Sequence, residues 1–161
     1  MSINHATLSK PNPSQGLISP ADTNTMHTTA VLLIAHGSRR PAANDDLAQL
    51  AEVVKSRRPD ALVEIAYLEL AAPDIALGGQ RCVERGAREV RMFPYFLSAG
   101  EHVVRDLEHH RRELAARFPQ VEFVLCPPLG LHPLIVEVVL ERVGQSMTPR
   151  ASGASAKIPG C

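Results

Sequence analysis

Short apolar runs alternate with longer segments of helical periodicity through the middle of the chain. Four of the apolar runs have the length and composition of buried strands, at residues 31–35, 62–68, 89–93 and 121–125. Each is followed by a segment with apolar residues three or four positions apart. These predicted helices are 44–57, 73–86, the segment between the loop PYFLSAGE and Pro119, and about 133–143.

The alternation predicts an α/β fold with a single doubly wound, four-stranded parallel sheet and helices on both of its faces. We predict the flavodoxin-like strand order 2-1-3-4. In this order the helices after strands one and three lie on opposite faces. A crevice then opens at the carboxyl ends of those two neighbouring strands.

Two details bear on the bounds of the predicted helices. The sequence Asn-Asp-Asp that begins at Asn44 suits a helix N-terminus, so the first helix is predicted to start there. The pair Gly78-Gly79 lies inside the second helical segment. Because glycine is a poor helix former, the pair disfavours an unbroken helix.

The two ends of the chain differ from the middle in composition. Residues 1–30 are rich in Ser, Thr, Asn and Pro without strand or helix period, which predicts a disordered leader. Residues 148–161 are rich in Pro, Gly and Ser and are predicted to form a disordered tail. Residues 31–147 then make one domain, which is long enough to bury a core without disulfides.

Charge and cysteine content argue against several classes of protein. Lys and Arg together number 17, as do Asp and Glu, so no global field favours nucleic acid or an anionic membrane. The three cysteines, Cys82, Cys126 and Cys161, form no CxxC pair, which argues against a disulfide framework or a zinc ribbon. No apolar run has the length of a membrane span, and the N-terminus lacks the order of a secretory signal. We therefore predict a cytoplasmic protein.

Two histidines lie just past the ends of predicted strands one and three. His36 stands in VLLIAHGSRR and His102 in SAGEHVVRD, and the predicted strand order brings both to one crevice. Two imidazoles can hold a borderline divalent metal and leave coordination positions open. Asp106, one turn after His102, is placed to accept the second N–H of that ring. The alternatives are an ordinary strand-to-helix turn and an exposed histidine at a helix start.

Glu69 follows the second strand, so it is also expected at the carboxyl edge of the sheet. It lies between two leucines, where an unpaired carboxylate would be costly, and we expect it to face the cleft or a cation. Three roles remain open for Glu69. It can ligate a metal, accept protons from a substrate, or form a salt bridge with a nearby arginine.

The remaining histidines and cysteines favour structural roles. His132 fits the turn that starts the last helix, and His109 and His110 lie in the middle of the third helix. Cys82 and Cys126 are interpreted as small buried hydrophobes.

Several sequence motifs are absent. The chain has no GxGxxG, GxxxxGK[ST], GxSxG or HExxH. It therefore lacks the residues that form dinucleotide-binding, P-loop, hydrolase and zincin sites. Gly37-Ser38, before the first helix, leaves open a flavodoxin-like phosphate-binding module.

Three segments together resemble the short CbiX/SirB-type sirohydrochlorin chelatases, a class II chelatase-like family. The resemblance covers about residues 31–143, and the third segment is the most specific. The segments are LLIAHGSRRP, AYLEL followed by AAPD, and FPYFLSAGEHVVRDL.

The resemblance implies insertion of a divalent metal into sirohydrochlorin, in the biosynthesis of cobalamin or sirohaem. The metal would be cobalt or iron, with nickel as a further candidate, and no organic cofactor is implied. His36 and His102 match the histidines that bind the metal in the family, and Glu69 matches an acidic position near the cleft. The family also includes chains with two such units in tandem. This chain has one, so a homodimer is expected.

A ring that carries many carboxylates needs cationic neighbours. We expect Arg39 and Arg40 to supply them, with Ser38 beside them and Arg105 as a further candidate. We expect Tyr95 of the aromatic loop to offer an apolar wall. Packing of that loop into the core is the alternative. The rival function is a non-catalytic protein of the same fold that binds the metal and delivers it to a separate chelatase.

Overall fold

The structure is a computed structural model that describes residues 28–145, in which four strands alternate with four helices. The elements are β1 (Thr29–Ala35), α1 (Pro41–Arg57), β2 (Leu62–Tyr67), α2 (Ile75–Glu84), β3 (Glu89–Pro94), α3 (Glu101–Arg117), β4 (Glu122–Leu125) and α4 (Pro133–Val143). The predicted tail, and all but the last three residues of the predicted leader, lie outside the described residues.

The four strands form one parallel sheet in the order β2-β1-β3-β4, which confirms the predicted topology. Leu33 of β1 stands opposite Ile65 of β2 on one side and Phe93 of β3 on the other. Leu32, Leu33 and Ile34 are at most 3% exposed, so β1 is buried on both faces, as its uninterrupted apolar run predicts.

Helices cover both faces of the sheet. Helix α1 packs on β1 and β2 around Leu33, Leu47 and Val63. Helices α2 and α3 pack on the opposite face, where Met92 and Leu107 belong to the larger core. Helices α1 and α3 therefore lie on opposite sides, as the predicted strand order requires.

Helix α1 begins at Pro41, three residues before the predicted start at Asn44. Proline suits a first helical position because it has no N–H to leave unpaired. The Asn44 side chain does not cap the helix. Instead its amide donates to the Ser38 carbonyl at 2.9 Å and accepts from the Ser38 N–H at 2.9 Å, which ties the preceding turn to the helix.

Helix α2 is continuous through Gly78 and Gly79, so the predicted second helix is confirmed although the glycine pair disfavours its continuity. It begins at Ile75 after Asp74, whose carboxylate accepts from the Leu77 N–H at 2.7 Å. A Cβ on Gly78 would lie 2.9 Å from the Leu32 side chain, and one on Gly79 would lie 2.7 Å from the Leu114 side chain. The two glycines let α2 approach its neighbours closely, and this packing overrides their low helix propensity.

The two cysteines in the described part are free thiols with different environments. Cys82 is fully buried, and this burial raises the pKa of its thiol to about 12, as expected for a small hydrophobe without reactivity. Cys126 is only partly buried, so its predicted burial is incomplete.

Among residues 28–145, no helix is both long enough and apolar enough to cross a bilayer.

Candidate functional site

The loops that follow β1 and β2 run side by side at the carboxyl edge of the sheet. The parallel pairing continues past the strands, because the Leu68 N–H donates to the Ala35 carbonyl at 2.9 Å and the Glu69 N–H donates to the His36 carbonyl at 3.0 Å. The backbone therefore places His36 and Glu69 next to each other before any side-chain contact is considered.

Gly37 allows this close approach of the two loops. Its φ of +92° lies in the left-handed region, and a Cβ at this position would be 2.1 Å from the Glu69 carbonyl oxygen. Any other residue would meet both backbone strain and a collision with main-chain atoms. The glycine after His36 is therefore a geometric requirement of the site.

The side chains of His36 and Glu69 meet at this edge. The Nε2 atom of His36 is 3.9 Å from the Oε2 atom of Glu69, and their side chains are 55% and 59% exposed. We expected Glu69 to lie where an unpaired carboxylate is costly, but water reaches it and that cost does not arise. An imidazole and a carboxylate in this arrangement are accessible to a cation that arrives from solvent.

The turn after Gly37 is held by its own hydrogen bonds. The Arg40 N–H donates to the Ser38 hydroxyl at 3.1 Å, and the Ser38 N–H already donates to Asn44. The Tyr67 hydroxyl donates to the Asn44 carbonyl at 3.1 Å, and burial raises the pKa of Tyr67, which favours the protonated donor. Two amides that a phosphate cradle would need are thus already engaged, which disfavours the phosphate-binding alternative.

His102 is the second residue of α3, which starts at the carboxyl side of β3. The chain leaves β3 beside β1, since the Tyr95 N–H donates to the Ile34 carbonyl at 2.7 Å. The Nδ1 atom of His102 lies 2.7 Å from an Nη2 atom of Arg105. We predicted Asp106 as its partner, but the longer arginine side chain, one turn along the helix, reaches the ring nitrogen instead.

The predicted site residues do not form a closed metal site. Within residues 28–145, no three side chains of His, Cys, Asp or Glu are placed to hold a metal ion together. The structure brings His36 into contact with Glu69 and places His102 after the strand that neighbours β1. The metal-ligand and catalytic roles of these three residues stay predictions.

The side chains expected to contact a ring differ in exposure. Arg39 and Arg40 are exposed, and Tyr95 is 43% exposed. Phe93 and Phe96 pack against the two cores. The aromatic loop therefore contributes some side chains to the core and Tyr95 to the surface.

Sequence reasoning missed two apolar side chains at the same edge. Leu70 is 50% exposed and Leu97 is 62% exposed. Both lie in the loops that follow β2 and β3. An apolar residue in a loop at this edge was the sequence signal that could have identified them.

The other three histidines among residues 28–145 have structural contacts. His132 caps α4, and its Nδ1 atom accepts from the Leu134 N–H at 3.2 Å, which confirms the predicted role at a helix start. His109 and His110 each lie 3.4 Å from a carboxylate oxygen of Glu113 on the same helix.

Comparison with known proteins finds a matching family model and similar sequences. The CbiX family model matches residues 30–146. A protein named sirohydrochlorin ferrochelatase from Priestia megaterium is 32% identical over 117 residues, which are 73% of this chain and 44% of that protein.

Two solved structures are similar in fold. The CbiX protein from Marinobacter aquaeolei VT8 has a TM-score of 0.62 at 30% identity, and the match covers 73% of this chain and 99% of that one. The sirohydrochlorin chelatase SirB from Bacillus subtilis subspecies spizizenii, in complex with cobalt, has a TM-score of 0.67 at 29% identity. That match covers 72% of this chain and 50% of SirB. The chain thus spans about half the length of the curated relatives that it matches first.

Replacing Gly37 tests the packing of the two loops. Gly37→Ala is expected to lower the free energy of unfolding by at least about 1–3 kcal/mol, the usual cost of such backbone strain, because the collision with Glu69 adds to it. The matched control is Gly100→Ala, since Gly100 has a φ of −65° and open space around it. Urea unfolding of both variants checks this, and equal stability would contradict the role of Gly37.

Proposed function

This chain belongs to the CbiX family, and on that basis we propose that it inserts a divalent metal, cobalt or iron, into sirohydrochlorin. The names of its relatives support this activity and this substrate. The observation that carries the proposal is the position of His36 and His102 after the neighbouring parallel strands β1 and β3. We propose that the reaction serves cobalamin or sirohaem biosynthesis in the cytoplasm.

We propose that His36 and His102 bind the incoming metal ion as neutral imidazoles. The exposure of His36 leaves an approach for an ion from solvent. Imidazole ligands suit cobalt, iron and nickel alike, so nickel is a further candidate. A site with only two protein ligands leaves positions for the nitrogens of the ring, to which the ion must be released.

The ring must lose two N–H protons as the metal enters. The metal ion and the neutral ring give the metallated ring and two protons, with no change of oxidation state, so no organic cofactor is needed. Glu69 is our candidate acceptor, because its carboxylate is exposed and lies 3.9 Å from His36. A histidine released from the metal is the other acceptor within reach of the same edge.

We propose that Arg39 and Arg40 bind carboxylates of the ring. Both are exposed, and within the described residues neither guanidinium has a carboxylate partner. The Ser38 hydroxyl accepts from the Arg40 N–H and retains its own proton for a ring carboxylate. Tyr95 offers a half-exposed aromatic face beside β1.

We also propose that the chain acts as a homodimer. The matched region fills half of SirB, so that chain has room for a second unit, which a second copy would supply here. Helix α4 supports this partner because none of its residues is buried against the rest of the described chain. An apolar helix without a buried side is stabilised when another surface covers it. Its exposed apolar residues are Leu134, Val136, Val138, Val139, Leu140 and Val143.

The sheet is also open where a fourth helix would normally lie. On the face that carries α1, Arg91 of β3 and Glu122 of β4 are exposed, and Phe93 and Val124 are only partly buried. A doubly wound sheet usually has helices over the whole of both faces. We therefore assign α4 and this open half of the sheet to the contact with the second copy.

The activity is tested by metal-dependent change in sirohydrochlorin absorbance at controlled free Co²⁺ and Fe²⁺. His36→Ala and His102→Ala are each expected to lower the rate at least about tenfold, because each removes a metal ligand. His109→Ala, an exposed histidine on α3, is the matched control and should keep the wild-type rate. Folded His36 and His102 variants with full rates would remove the assigned roles. A wild-type rate equal to spontaneous insertion would favour the metal-delivery alternative.

The homodimer is tested by the mass of the protein in solution. Wild-type protein is expected to have the mass of two chains, and the double variant Leu134→Glu with Leu140→Glu that of one, because charges on α4 oppose burial of this helix. Both leucines are exposed, so the fold of one chain should survive. Ala48→Glu places one glutamate at an exposed position of α1 and should leave the dimer intact. Light scattering after size exclusion measures these masses, and a wild-type monomer would contradict the proposal.

A further inference from the structure

The contact between Arg105 and His102 bears on when His102 can bind a metal. A guanidinium has only N–H donors, so the Nδ1 atom of His102, 2.7 Å from Nη2 of Arg105, accepts the hydrogen bond. The ring is then neutral, with its proton on Nε2. One nitrogen has its lone pair engaged and the other carries the hydrogen, so the ring has no free lone pair for a metal.

We propose that Arg105 holds His102 in this blocked state until a carboxylate of the substrate ring draws the guanidinium away. The inference rests on the proposed function, because it assumes that His102 is a metal ligand. Binding of the polycarboxylate ring would free Nδ1 and remove a positive charge from the path of the metal. Metal and ring would therefore bind cooperatively, each raising the affinity for the other.

Arg105 is suited to this exchange because it has no carboxylate partner within residues 28–145. Two other arginines of α3 differ in this respect. Arg111 and Arg112 pair with Glu108 at 2.6 and 3.3 Å. The Arg105 bond to a neutral imidazole is weaker than a charge-assisted, bidentate bond to a carboxylate. A ring carboxylate can therefore displace His102 from Arg105.

The surface around Arg105 is open to such a ligand. A shallow groove of about 420 Å³ runs along α3, and it is lined by Ala99, Glu101, Val104, Arg105, Glu108 and Arg112. Val104 is 45% exposed and gives the groove an apolar side. The guanidinium can thus move from His102 toward a bound ring without unpacking the core.

The test uses Arg105→Met, which removes the donors and the charge, and Arg117→Met as the matched control on the same helix, away from the groove. Binding of Co²⁺ to the protein alone is measured by calorimetry. Arg105→Met is expected to raise the Co²⁺ affinity about three- to tenfold, the effect of losing one competing hydrogen bond. Arg117→Met should leave the affinity unchanged, because Arg117 is the last residue of α3 and contacts Gln80.

Cooperativity is measured with a porphyrin that carries eight carboxylates and already holds zinc, so that it cannot take up cobalt. This probe should raise the Co²⁺ affinity of wild type and of Arg117→Met, but not that of Arg105→Met. Arg105→Lys keeps a charge and a donor and should keep part of the effect. Long-range ¹H–¹⁵N spectra of the metal-free protein should show the Nε2–H tautomer of neutral His102 in wild type and a mixture of the Nε2–H and Nδ1–H tautomers in Arg105→Met.

An unchanged or lower Co²⁺ affinity in Arg105→Met, or cooperativity that survives this substitution, would overturn the inference. His102→Ala separates this failure from failure of the proposed site. If His102→Ala weakens Co²⁺ binding while Arg105→Met changes nothing, only the role of Arg105 fails. If His102→Ala binds Co²⁺ as wild type does even with the porphyrin bound, His102 is not a ligand and both proposals fail.

Discussion

The candidate site depends on one constraint, the parallel pairing of β1 with β2 on one side and with β3 on the other. Because all strands point the same way, their carboxyl ends meet at one edge, and the loops that leave them share it. The hydrogen bonds continue into these loops as far as the contact between Glu69 and His36. Gly37 then allows main-chain atoms to approach where a Cβ would collide. The backbone thus positions the site before side chains contribute.

Within the described residues, one helix and one half of the sheet have no covering layer. Helices α1, α2 and α3 bury their apolar sides on the sheet, whereas α4 buries none of its residues against the described chain. The half of the sheet formed by β3 and β4 is open on the α1 face. The proposed second copy would cover both the hydrophobic helix α4 and the open sheet face.

Much of this architecture could be predicted from the sequence, because uninterrupted apolar runs mark strands buried on both faces and the strand-helix alternation requires parallel strands. Local sequence patterns were insufficient where contacts with other parts of the chain determine the structure. The start of α1 was misplaced because Asn44 binds the turn before it. The pair Gly78-Gly79 argued against the continuity of the predicted second helix, because the pattern does not show that Leu32 and Leu114 pack against it. Likewise, spacing put Asp106 beside His102, whereas side-chain reach favours Arg105. Periodicity could not reveal that no residue of α4 is buried within residues 28–145.

The central claim is that His36 and His102, on loops after neighbouring strands, bind one metal ion. Its most direct test is anomalous diffraction at the cobalt absorption edge from crystals grown with Co²⁺ and the zinc-filled porphyrin. The account predicts one cobalt ion within about 2.0–2.3 Å of a ring nitrogen from each histidine, the usual range for metal–imidazole bonds. Separate ions on the two imidazoles, or cobalt bound only at other residues, would contradict it.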